Sequence, residues 1–550
     1  MMLHGIPLNG IILQLTSLRT IHYYLKSGWG TGANDVANAF GTSVGSGALT
    51  LNQAILIAAV FEFLGAMVLG RVSTSTIAGG IADIKAFKGQ PFAYSYGMMW
   101  TLMAGGVWQG WASKNGLNVS ATHSIIAGII GFSIAFNGKG GVLWIIDDPN
   151  VIPPYRGVVP IVIAWFFAPI ATAFTSFSMF FLTRRFILRH ENCYERSFIM
   201  LPIIVTFCSW INIYFVFVKG AKKSIGTGDD WSDNKAAWVA AVCAACLGLL
   251  AFACTPLVRR RAVYLEEAHQ QRILDRQARI DERDKEAASE VFGIDGEKVE
   301  VETAEEVLID RENEKKFLGI AASDITIDKL GLGIRRFFNS NGLDLGSEVK
   351  KDEKGRIIEE KDWIDDFNPE IAALQARAEV FDSKTERVFG VLQVFSAICV
   401  MFAHGAGEVG FMAGPLATIY AVNQTGKLPS KVEAPIWVLV ISAFSLVAGL
   451  ATYGKTMTKA VGTEFCKITP ARGFAAELST AVVIMVASQY GLPTSSSQCI
   501  TGGIVGIGLA EGMSGVNWKF FFQTFSSWIM TMFVMGVGVG LLFTQGHTAP

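Results

Sequence analysis

The chain has 550 residues, 51% of them hydrophobic and 17% charged, with a formal net charge of −1. Soluble proteins carry about 25% charged residues, so this composition, with a mean hydropathy of +0.39, excludes an ordinary soluble domain. Because about 20 apolar residues are enough to cross a bilayer as a helix, we predict an all-α polytopic membrane protein with about 11–12 transmembrane segments.

The predicted elements begin after an irregular amino terminus. Residues 1–27 are too broken for a signal peptide and too polar for a clean spanning helix, so they form a divergent N-terminal segment. Apolar runs of spanning length follow at 53–72, 94–113, 159–183, 198–218, 236–256, 388–403, 435–453 and 519–543. Shorter glycine-rich apolar pieces, which predict broken helices, lie at 32–49, 120–136, 411–422, 472–489 and 494–511.

One long polar segment interrupts these apolar runs. Residues 259–388 contain 23 basic and 32 acidic residues, whereas the rest of the chain contains 23 basic and 15 acidic residues. Basic clusters at 183–190 and 258–261 flank one pair of predicted helices, and such clusters mark the cytoplasmic side of a membrane. We therefore predict a long cytoplasmic loop that acts as a tether or as a regulatory insert.

Two motifs occur twice in the same order. GANDVANAFGT, which begins at residue 32, has a partner in GAGEVGFMAGP, 373 residues later. GLNVSATHSIIAGIIG at 116 matches GLPTSSSQCITGGIVG at 491, an offset of 375 residues. Because many transporters consist of inverted repeats with broken helices, we predict two inverted repeats, each with a re-entrant hairpin. The predicted organisation is an N-terminal segment at 1–27, a first transmembrane repeat with the helices that follow it at 28–257, a charged loop at 258–387, a second transmembrane repeat at 388–545 and a tail at 546–550.

Four carboxylates lie in apolar stretches, namely Asp35, Glu62, Glu408 and Glu477. An ionisable side chain at membrane depth costs about 3 kcal/mol or more, so it needs a cation, a proton or a water-filled cavity. Asp35 and Glu408 occupy equivalent positions in the two repeats, and Asn34 and Asn38 share a helical face with Asp35. Because small hard cations prefer oxygen ligands, we predict Na⁺ bound by Asp35, Asn38 and Glu408. Glu62 and Glu477 either bind a cation or brace a neighbouring helix.

The second repeated motif predicts an anion site. Each copy follows a Gly-Leu break and begins an apolar half-helix, whose unpaired N–H groups and positive dipole end attract an anion. The alternative is ordinary N-capping by Ser120 and Ser495. His123 and His404 are each interpreted as a donor to the anion, as a pH sensor or as a packing residue. The predicted anion-binding residues are Ser120, Thr122, His123, Ser124, Thr494, Ser495, Ser496 and Ser497.

These repeated motifs resemble the inorganic phosphate transporter (PiT) family of sodium-dependent phosphate symporters. Further matching stretches are FEFLGAMVLGRVS at 61, ITPARGFAAELSTA at 468 and ASQYGLPTSSSQC at 487. The resemblance covers residues 28–257 and 388–545. It implies that phosphate and sodium bind between two inverted repeats near mid-membrane, with phosphate at the two hydroxyl-rich tips. It also implies a long cytoplasmic loop between the repeats.

The second signature departs from the pattern that this resemblance implies. Gly407 and Phe411 stand where asparagines are expected, and Glu408 stands where an aspartate is expected. Gln498 replaces a histidine, and Asn118 replaces a proline. The loss of two carboxamides alters one cation site. The number of coupled ions and the choice between Na⁺ and H⁺ therefore stay open.

The predicted function is secondary active import of inorganic phosphate by cation symport through alternating access, with Na⁺ as the first candidate. The alternatives are an H⁺-coupled phosphate transporter, a transporter of another oxyanion such as sulfate, and a phosphate sensor that signals through the cytoplasmic loop. No enzymatic activity is predicted, because no nucleophile–base pair or metal cluster accompanies the hydroxyl groups.

The predicted partners are inorganic phosphate, Na⁺ or H⁺, and the lipid bilayer. We predict no cofactor and no nucleic-acid partner, and we leave a homodimer open. The plasma membrane is the first candidate location, and an organelle envelope is the second.

Overall fold

The structure is a computed structural model that describes residues 21–149, 154–221, 232–292, 369–429, 432–490 and 492–547, together with two-residue strands at 2–3, 6–7, 350–351 and 357–358. Most of the predicted N-terminal segment and most of the predicted cytoplasmic loop therefore lie outside the described residues. The strands form three antiparallel pairs, Met2–Leu3 with Ile6–Pro7, Ile146–Asp147 with Tyr155–Arg156, and Lys350–Lys351 with Ile357–Ile358.

Helices make up almost all of the described chain, and several contain one wide turn of π-helix. The first half consists of α1 (helical residues 21–31, π turn Gly32–Val36 and Ala37–Gly45), α2 (Leu51–Ile57, π turn Ala58–Glu62 and Phe63–Gly79), α3 (Pro91–Lys114), α4 (Ala121–Asn137), α5 (Val158–Thr183 with π turn Arg184–Leu188), α6 (Cys193–Phe215 with π turn Val216–Ala221) and α7 (Asp233–Phe292). Residues 21–27 are thus part of a helix that begins within the predicted N-terminal segment.

The second half repeats this layout after the charged loop. It consists of α8 (Pro369–Ala376), α9 (Ser383–His404, π turn Gly405–Val409 and Gly410–Thr425), α10 (Ile436–Tyr453), α11 (Lys455–Thr463), α12 (Pro470–Gln489), α13 (Ser496–Leu509) and α14 (Trp518–His547). Both signature motifs fall in equivalent π turns, one in α1 and one in α9.

Within the described ranges, nine helical stretches are long and apolar enough to cross a membrane. Two of the nine, α4 and α12, belong to hairpins, and the described helices α1, α3 and α13 are too short or too polar to be counted. Large apolar side chains on the outer surface, such as Phe167 (70% exposed) and Phe174 (72% exposed) on α5, suit contact with lipid. The chain is therefore an all-α, multi-pass membrane protein, as predicted.

The two repeats are inverted relative to each other. The pairs α3–α4 and α12–α13 are helical hairpins whose tips lie inside the protein, so each hairpin returns the chain to the side it came from. If α1, α2, α5, α6 and α7 each cross the membrane once, an odd number of crossings separates the start of α1 from the start of α9, as inverted repeats require. The repeats also exchange partners, because α4 packs against α14 and α13 packs against α5.

Two equivalent glycines allow the signature helices to pack backbone to backbone against the opposite repeat. A Cβ atom at Gly32 of α1 would overlap the carbonyl oxygen of Leu446 in α10, and one at Gly405 of α9 would overlap that of Glu62 in α2. No larger residue fits at either position without moving a helix. The first glycine of each signature therefore fixes where the following carboxylate lies.

Hairpin tips interrupt the helices at matched positions. In the first hairpin, Gly116 has a φ of +65°, which favours glycine, and it ends the turn after α3. Ser120 then accepts the backbone N–H of His123 at 3.2 Å, and Ser495 accepts that of Gln498 at 3.3 Å in the second hairpin. The predicted capping by both serines is thus present, and it orients the first turns of α4 and α13.

Candidate ion and anion site

The two signature carboxylates meet across the interface between the repeats. Asp35 (1% exposed) and Glu408 (2% exposed) come from the π turns of α1 and α9. The Ser496 hydroxyl lies between them, with Oγ 3.0 Å from Asp35 Oδ1 and 2.9 Å from Glu408 Oε1. Since a hydroxyl has one proton, it donates to only one carboxylate at a time. Single π turns are frequent at functional sites, where they redirect a side chain.

Both hairpin tips reach these carboxylates. Thr122 Oγ1, in the first turn of α4, donates to Glu408 Oε1 at 3.0 Å and lies 3.5 Å from the carbonyl oxygen of Thr494 in the other tip. The backbone N–H of Ala121 also faces the Asp35 carboxylate. The N-termini of α4 and α13 thus converge from opposite repeats on one buried point, which is the arrangement expected of an anion site.

The asparagines of the first signature have different surroundings. Asn34 accepts the N–H of Val119 at 3.0 Å and donates to the carbonyl of Leu117 at 2.8 Å, so it fastens the first hairpin tip to α1. Asn38 donates to Asn118 Oδ1 at 2.7 Å. The carboxamide oxygen of Asn34 is therefore engaged with the backbone, whereas the oxygen of Asn38 is available. The roles of both residues as cation ligands stay predictions.

Several buried oxygens in this region have no hydrogen-bond partner among the described residues, and three of them are Asp35 Oδ2, Asn38 Oδ1 and Glu408 Oε2. A buried polar atom without a partner is costly and calls for an explanation. All three belong to the residues for which the sequence predicts Na⁺ binding. Two carboxylates and one carboxamide supply the oxygen ligands that a small hard cation prefers, so the residues fit such an ion.

His404, for which a site role and a packing role were left open, joins the site. One of its ring nitrogens and one oxygen each of Asp35 and Glu408 lie within 4.8 Å of one another. His404 Nδ1 lies 2.8 Å from Glu62 Oε1, and both side chains are buried. Glu62, predicted as a cation ligand, thus contacts His404. The sequence signal for His404 was its position directly before the second signature.

Glu477 lies in a second polar cluster of its own, which we call the Glu477 cage. Its carboxylate accepts hydrogen bonds from four side chains, namely Thr42 (2.6 Å), Ser43 (2.5 Å), Ser396 (2.6 Å) and Gln393 (3.2 Å). Ser43 is two helical turns beyond Asp35, which corresponds to about 12 Å along α1. The structure thus brings Glu477 together with α1 and α9, but not with Asp35 and Glu408.

The remaining predicted anion ligands make local contacts. Ser124 Oγ donates to the Ser120 carbonyl at 2.9 Å, and Ser497 Oγ lies 3.0 Å from Ser495 Oγ. The His123 ring packs against Trp165, with ring centroids 4.0 Å apart. Thr122 and Ser496 are thus the two predicted residues whose side chains reach the carboxylates. The anion-binding roles of the whole set stay predictions.

Comparison with known proteins decides the family. The model of a family described as the phosphate transporter family matches residues 31–538 of this chain. The chain belongs to the phosphate transporter family. The match spans both repeats and the charged loop between them, so the resemblance noted in the sequence is confirmed.

Other members of the phosphate transporter family are similar along nearly the whole chain. The phosphate-repressible phosphate permease pho-4 of Neurospora crassa is 28% identical, over 98% of each protein. Sodium-dependent phosphate transporter 1 of Mus musculus is 24% identical, over 92% of this chain and 91% of the mouse protein. A solved structure titled "The sodium-dependent phosphate transporter" shares the fold, with a TM-score of 0.64 and 22% identity over 96% of this chain and 98% of that one.

Proposed function

We propose that this protein imports inorganic phosphate by secondary active symport with cations, and that Na⁺ is the coupling cation. The observation that carries the proposal is the meeting of two helix N-termini, one from each repeat, at two buried carboxylates with unpaired oxygens. Membership of the phosphate transporter family supports phosphate as the substrate. The name of the mouse relative supports sodium as the coupling ion.

Charge supplies the reason for coupling. Phosphate is repelled by Asp35 and Glu408 while both carboxylates are ionised and unneutralised. The hydroxyl protons of Thr122 and Ser496 point to these same carboxylates. When a cation neutralises the two carboxylates, their hydrogen bonds to the hydroxyls weaken, and both hydroxyls turn toward phosphate. Cation binding therefore removes the repulsion and prepares the donors of the anion site in one step.

Two groups of residues hold phosphate in this proposal. Thr122 and Ser496 donate their hydroxyl protons, and the first N–H groups of α4 and α13 complete the anion site. Ser120 and Ser495 orient those N–H groups through the caps they form. The side chains of His123, Ser124, Thr494 and Ser497 shape the tips around them.

The Glu477 cage is the proposed site of a further cation. Its carboxylate and the three hydroxyl oxygens around it form a buried, oxygen-rich cluster that contains no Lys or Arg among its described partners. Hydroxyl groups can turn their protons outward and offer lone pairs instead, so the cluster suits a hard cation such as Na⁺. A cation there would neutralise the buried negative charge of Glu477.

Alternating access follows from the inverted repeats in this proposal. One repeat rocks against the other around a site that lies between them, as in other transporters built from inverted repeats. Each net positive charge carried inward gains about 2.3 kcal/mol per 100 mV of inside-negative potential. The plasma membrane is the proposed location, because such a potential exists there.

Proton coupling is the second candidate, and one observation favours it. Phe411, which is 4% exposed, fills the position equivalent to Asn38, and Gly407 fills that of Asn34. Glu408 therefore lacks the carboxamide neighbours that Asp35 has. A carboxylate with few oxygen neighbours is better suited to carry a proton than to share Na⁺ with other ligands.

The decisive experiment is uptake of radiolabelled phosphate into proteoliposomes, driven by an inward gradient of either Na⁺ or H⁺, with excess sulfate as competitor. Na⁺-driven uptake that resists sulfate is the expected result. Thr122→Val and Ser496→Ala should each lower uptake at least tenfold. Ser133→Ala is the matched control, since Ser133 bonds only within α4, to the Ile129 carbonyl.

Uptake driven by H⁺ alone would replace Na⁺ with H⁺ in the proposal and make Glu408 the proton carrier. Equal inhibition by sulfate would contradict phosphate specificity. If neither gradient drives uptake into liposomes that contain folded protein, the symport proposal fails.

A further inference from the structure

We propose that Asp35, His404 and Glu408 form a binding site for a divalent transition-metal cation, with Glu62 holding His404 in the ligating orientation. The site overlaps the position of the proposed coupling ion. Such an ion would bind in place of that coupling ion and block transport, and this consequence rests on the function proposed above. Metal binding itself does not depend on that function.

The pair formed by Glu62 and His404 is the first step of the argument. Histidines that bind metals usually donate the N–H of the other ring nitrogen to a carboxylate, which fixes the ring and its tautomer. His404 Nδ1 lies 2.8 Å from Glu62 Oε1 inside the protein. With the Nδ1 proton donated to Glu62, Nε2 carries a lone pair.

The unpaired atoms are the second step. His404 Nε2, Asp35 Oδ2 and Glu408 Oε2 are buried and have no hydrogen-bond partner among the described residues. One ligand atom from each of these three side chains lies within 4.8 Å of the other two. Metal–ligand bonds of about 2.1 Å place the ligand atoms of one ion about 3 to 4 Å apart. The three side chains that carry these unpaired atoms thus lie close enough together to bind a single ion.

Charge is the third step. Asp35, Glu62 and Glu408 bring three carboxylates to one buried region, and in the part of the chain that the structure describes none of them forms an ion pair with Lys or Arg. An imidazole that ligates a metal ion is neutral, so in the metal-bound state His404 would not compensate this excess. A divalent cation offsets twice the charge that one Na⁺ does.

The imidazole decides the class of metal. Mg²⁺ and Ca²⁺ prefer sites made of oxygen alone, whereas Zn²⁺, Co²⁺ and similar ions accept imidazole nitrogen together with carboxylate oxygen. One nitrogen and two carboxylates match the mixed ligand sets of zinc sites with an open position. We therefore expect Co²⁺ and Zn²⁺ to bind, and Mg²⁺ and Ca²⁺ not to displace them.

Co²⁺ titration tests the site directly, because the visible absorption of Co²⁺ reports its coordination. The full-length protein is purified in detergent with a tag that contains no histidine, and it is titrated in the absence of phosphate. We expect one tightly bound Co²⁺ per chain, displaced by Zn²⁺ and retained in excess Mg²⁺ or Ca²⁺. His190→Gln is the matched control, since His190 lies in an exposed turn and contacts the N–H of Asn192.

Two variants separate ligation from folding. His404→Gln should abolish the Co²⁺ spectrum. Glu62→Gln keeps all three ligands but weakens the orienting bond, and loss of such a partner typically lowers metal affinity about 10- to 100-fold. If His404→Gln fails to fold, the Co²⁺ affinity of Glu62→Gln still tests the proposal. Unchanged Co²⁺ affinity in Glu62→Gln, or binding that the His190→Gln control removes, overturns the proposal.

Transport provides the second measurement. In proteoliposomes, micromolar Zn²⁺ should inhibit phosphate uptake, and a higher concentration of the coupling cation should relieve the inhibition. If the protein binds Co²⁺ as described but takes up no phosphate, the metal site stands and the proposed function fails. If uptake proceeds and no Co²⁺ binds, the metal site fails and the proposed function stands.

Discussion

The Glu477 cage and its counterpart around Leu102 occupy equivalent positions of the duplicated fold but differ in chemistry. We aligned the two repeats by the offsets of their motifs. With the offset of 375 residues, Leu102 corresponds to Glu477, and with the offset of 373 residues, Pro415 and Leu416 correspond to Thr42 and Ser43. All three substitutes are buried, as is the cage itself. The duplicated fold thus has a carboxylate with hydroxyl partners at one of two equivalent positions and apolar side chains at the other.

This difference shows that symmetry of the backbone does not predict symmetry of the ion sites. The same holds for the signature turns, where Asn34 and Asn38 correspond to Gly407 and Phe411. Apolar packing is suited to a fixed interface, whereas a carboxylate surrounded by hydroxyls can gain or lose a cation. We therefore expect the apolar counterpart to act as a fixed interface and the Glu477 cage to act as a cation site. Placing a charge in the first and removing the charge from the second should have unequal effects.

The largest effect is expected when a carboxylate is placed in the apolar counterpart. Leu102→Glu puts an unpaired charge at a position with 0% exposure, where an ionisable group costs about 3 kcal/mol or more. We expect loss of folded protein, measured by size-exclusion chromatography in detergent. Leu102→Met is the matched control and should fold. Normal yield and normal stability of Leu102→Glu would show that the counterpart region accepts charge after all.

A smaller effect is expected when the charge of the cage is removed. Glu477→Gln keeps the size of the side chain and one acceptor oxygen, but loses a charge-assisted set of hydrogen bonds worth about 1.5–3 kcal/mol. We expect the Na⁺ concentration for half-maximal uptake to rise at least tenfold. Thr458→Ala serves as the control, since Thr458 contacts the Ala37 carbonyl of the same helix α1 at 3.3 Å. An unchanged Na⁺ dependence would leave Glu477 a purely structural residue.

Restoring a carboxamide in the second signature should have a weaker effect of opposite sign. Phe411→Asn places a carboxamide three residues after Glu408, as Asn38 is placed three residues after Asp35, and a single hydrogen bond or ligand of this kind contributes about 1 kcal/mol. We expect the apparent affinity for Na⁺ to increase about threefold to tenfold. Phe411→Leu makes similar space without an oxygen, so an equal gain in that variant would attribute the change to cavity formation.

The smallest effect concerns the segment that leads into the second repeat. Glu379 precedes α9 and accepts two hydrogen bonds from Arg189, at 2.8 and 2.7 Å. These bonds, aided by the charges of the nearby Arg184 and Arg472, hold the pKa of the Glu379 carboxyl below its usual value of 4.5. The ionised form thus favours the folded state above pH 4.5, and this contribution is lost as the pH falls through the lowered pKa.

Glu379→Gln should therefore lower the stability at neutral pH by at most about 1 kcal/mol, the range of partly exposed ion pairs. Thermal unfolding in detergent, followed from neutral to acidic pH, should show the two proteins converge as the pH falls. Lys519→Gln is the control for loss of an exposed pair, because Lys519 and Glu370 lie 3.9 Å apart at the surface. A constant difference at every pH would mean that charge is not the cause.

The sequence by itself determined the class of protein and most of its helices. A helix that crosses lipid must satisfy its backbone internally and present about 20 apolar side chains, so composition and run length are sufficient signals. The repeated motifs fixed the duplication and the equivalence of Asp35 and Glu408, which the structure places together. Capping at Ser120 and Ser495 was also predictable, because a cap depends on residues three positions apart.

Only the tertiary structure decided which polar groups meet. Ser496 lies between Asp35 and Glu408, residues more than 370 positions apart. Glu62 contacts His404, while Glu477 joins a separate cage with Ser396. The contacts of Ser496 with Asp35 and of His404 with Glu62 cross the interface between the repeats. All of these contacts join residues that are far apart in the chain, and they therefore leave no local pattern in the sequence. They depend on close helix packing, which glycines such as Gly32 and Gly405 allow, because a shift of one helical turn would pair different side chains.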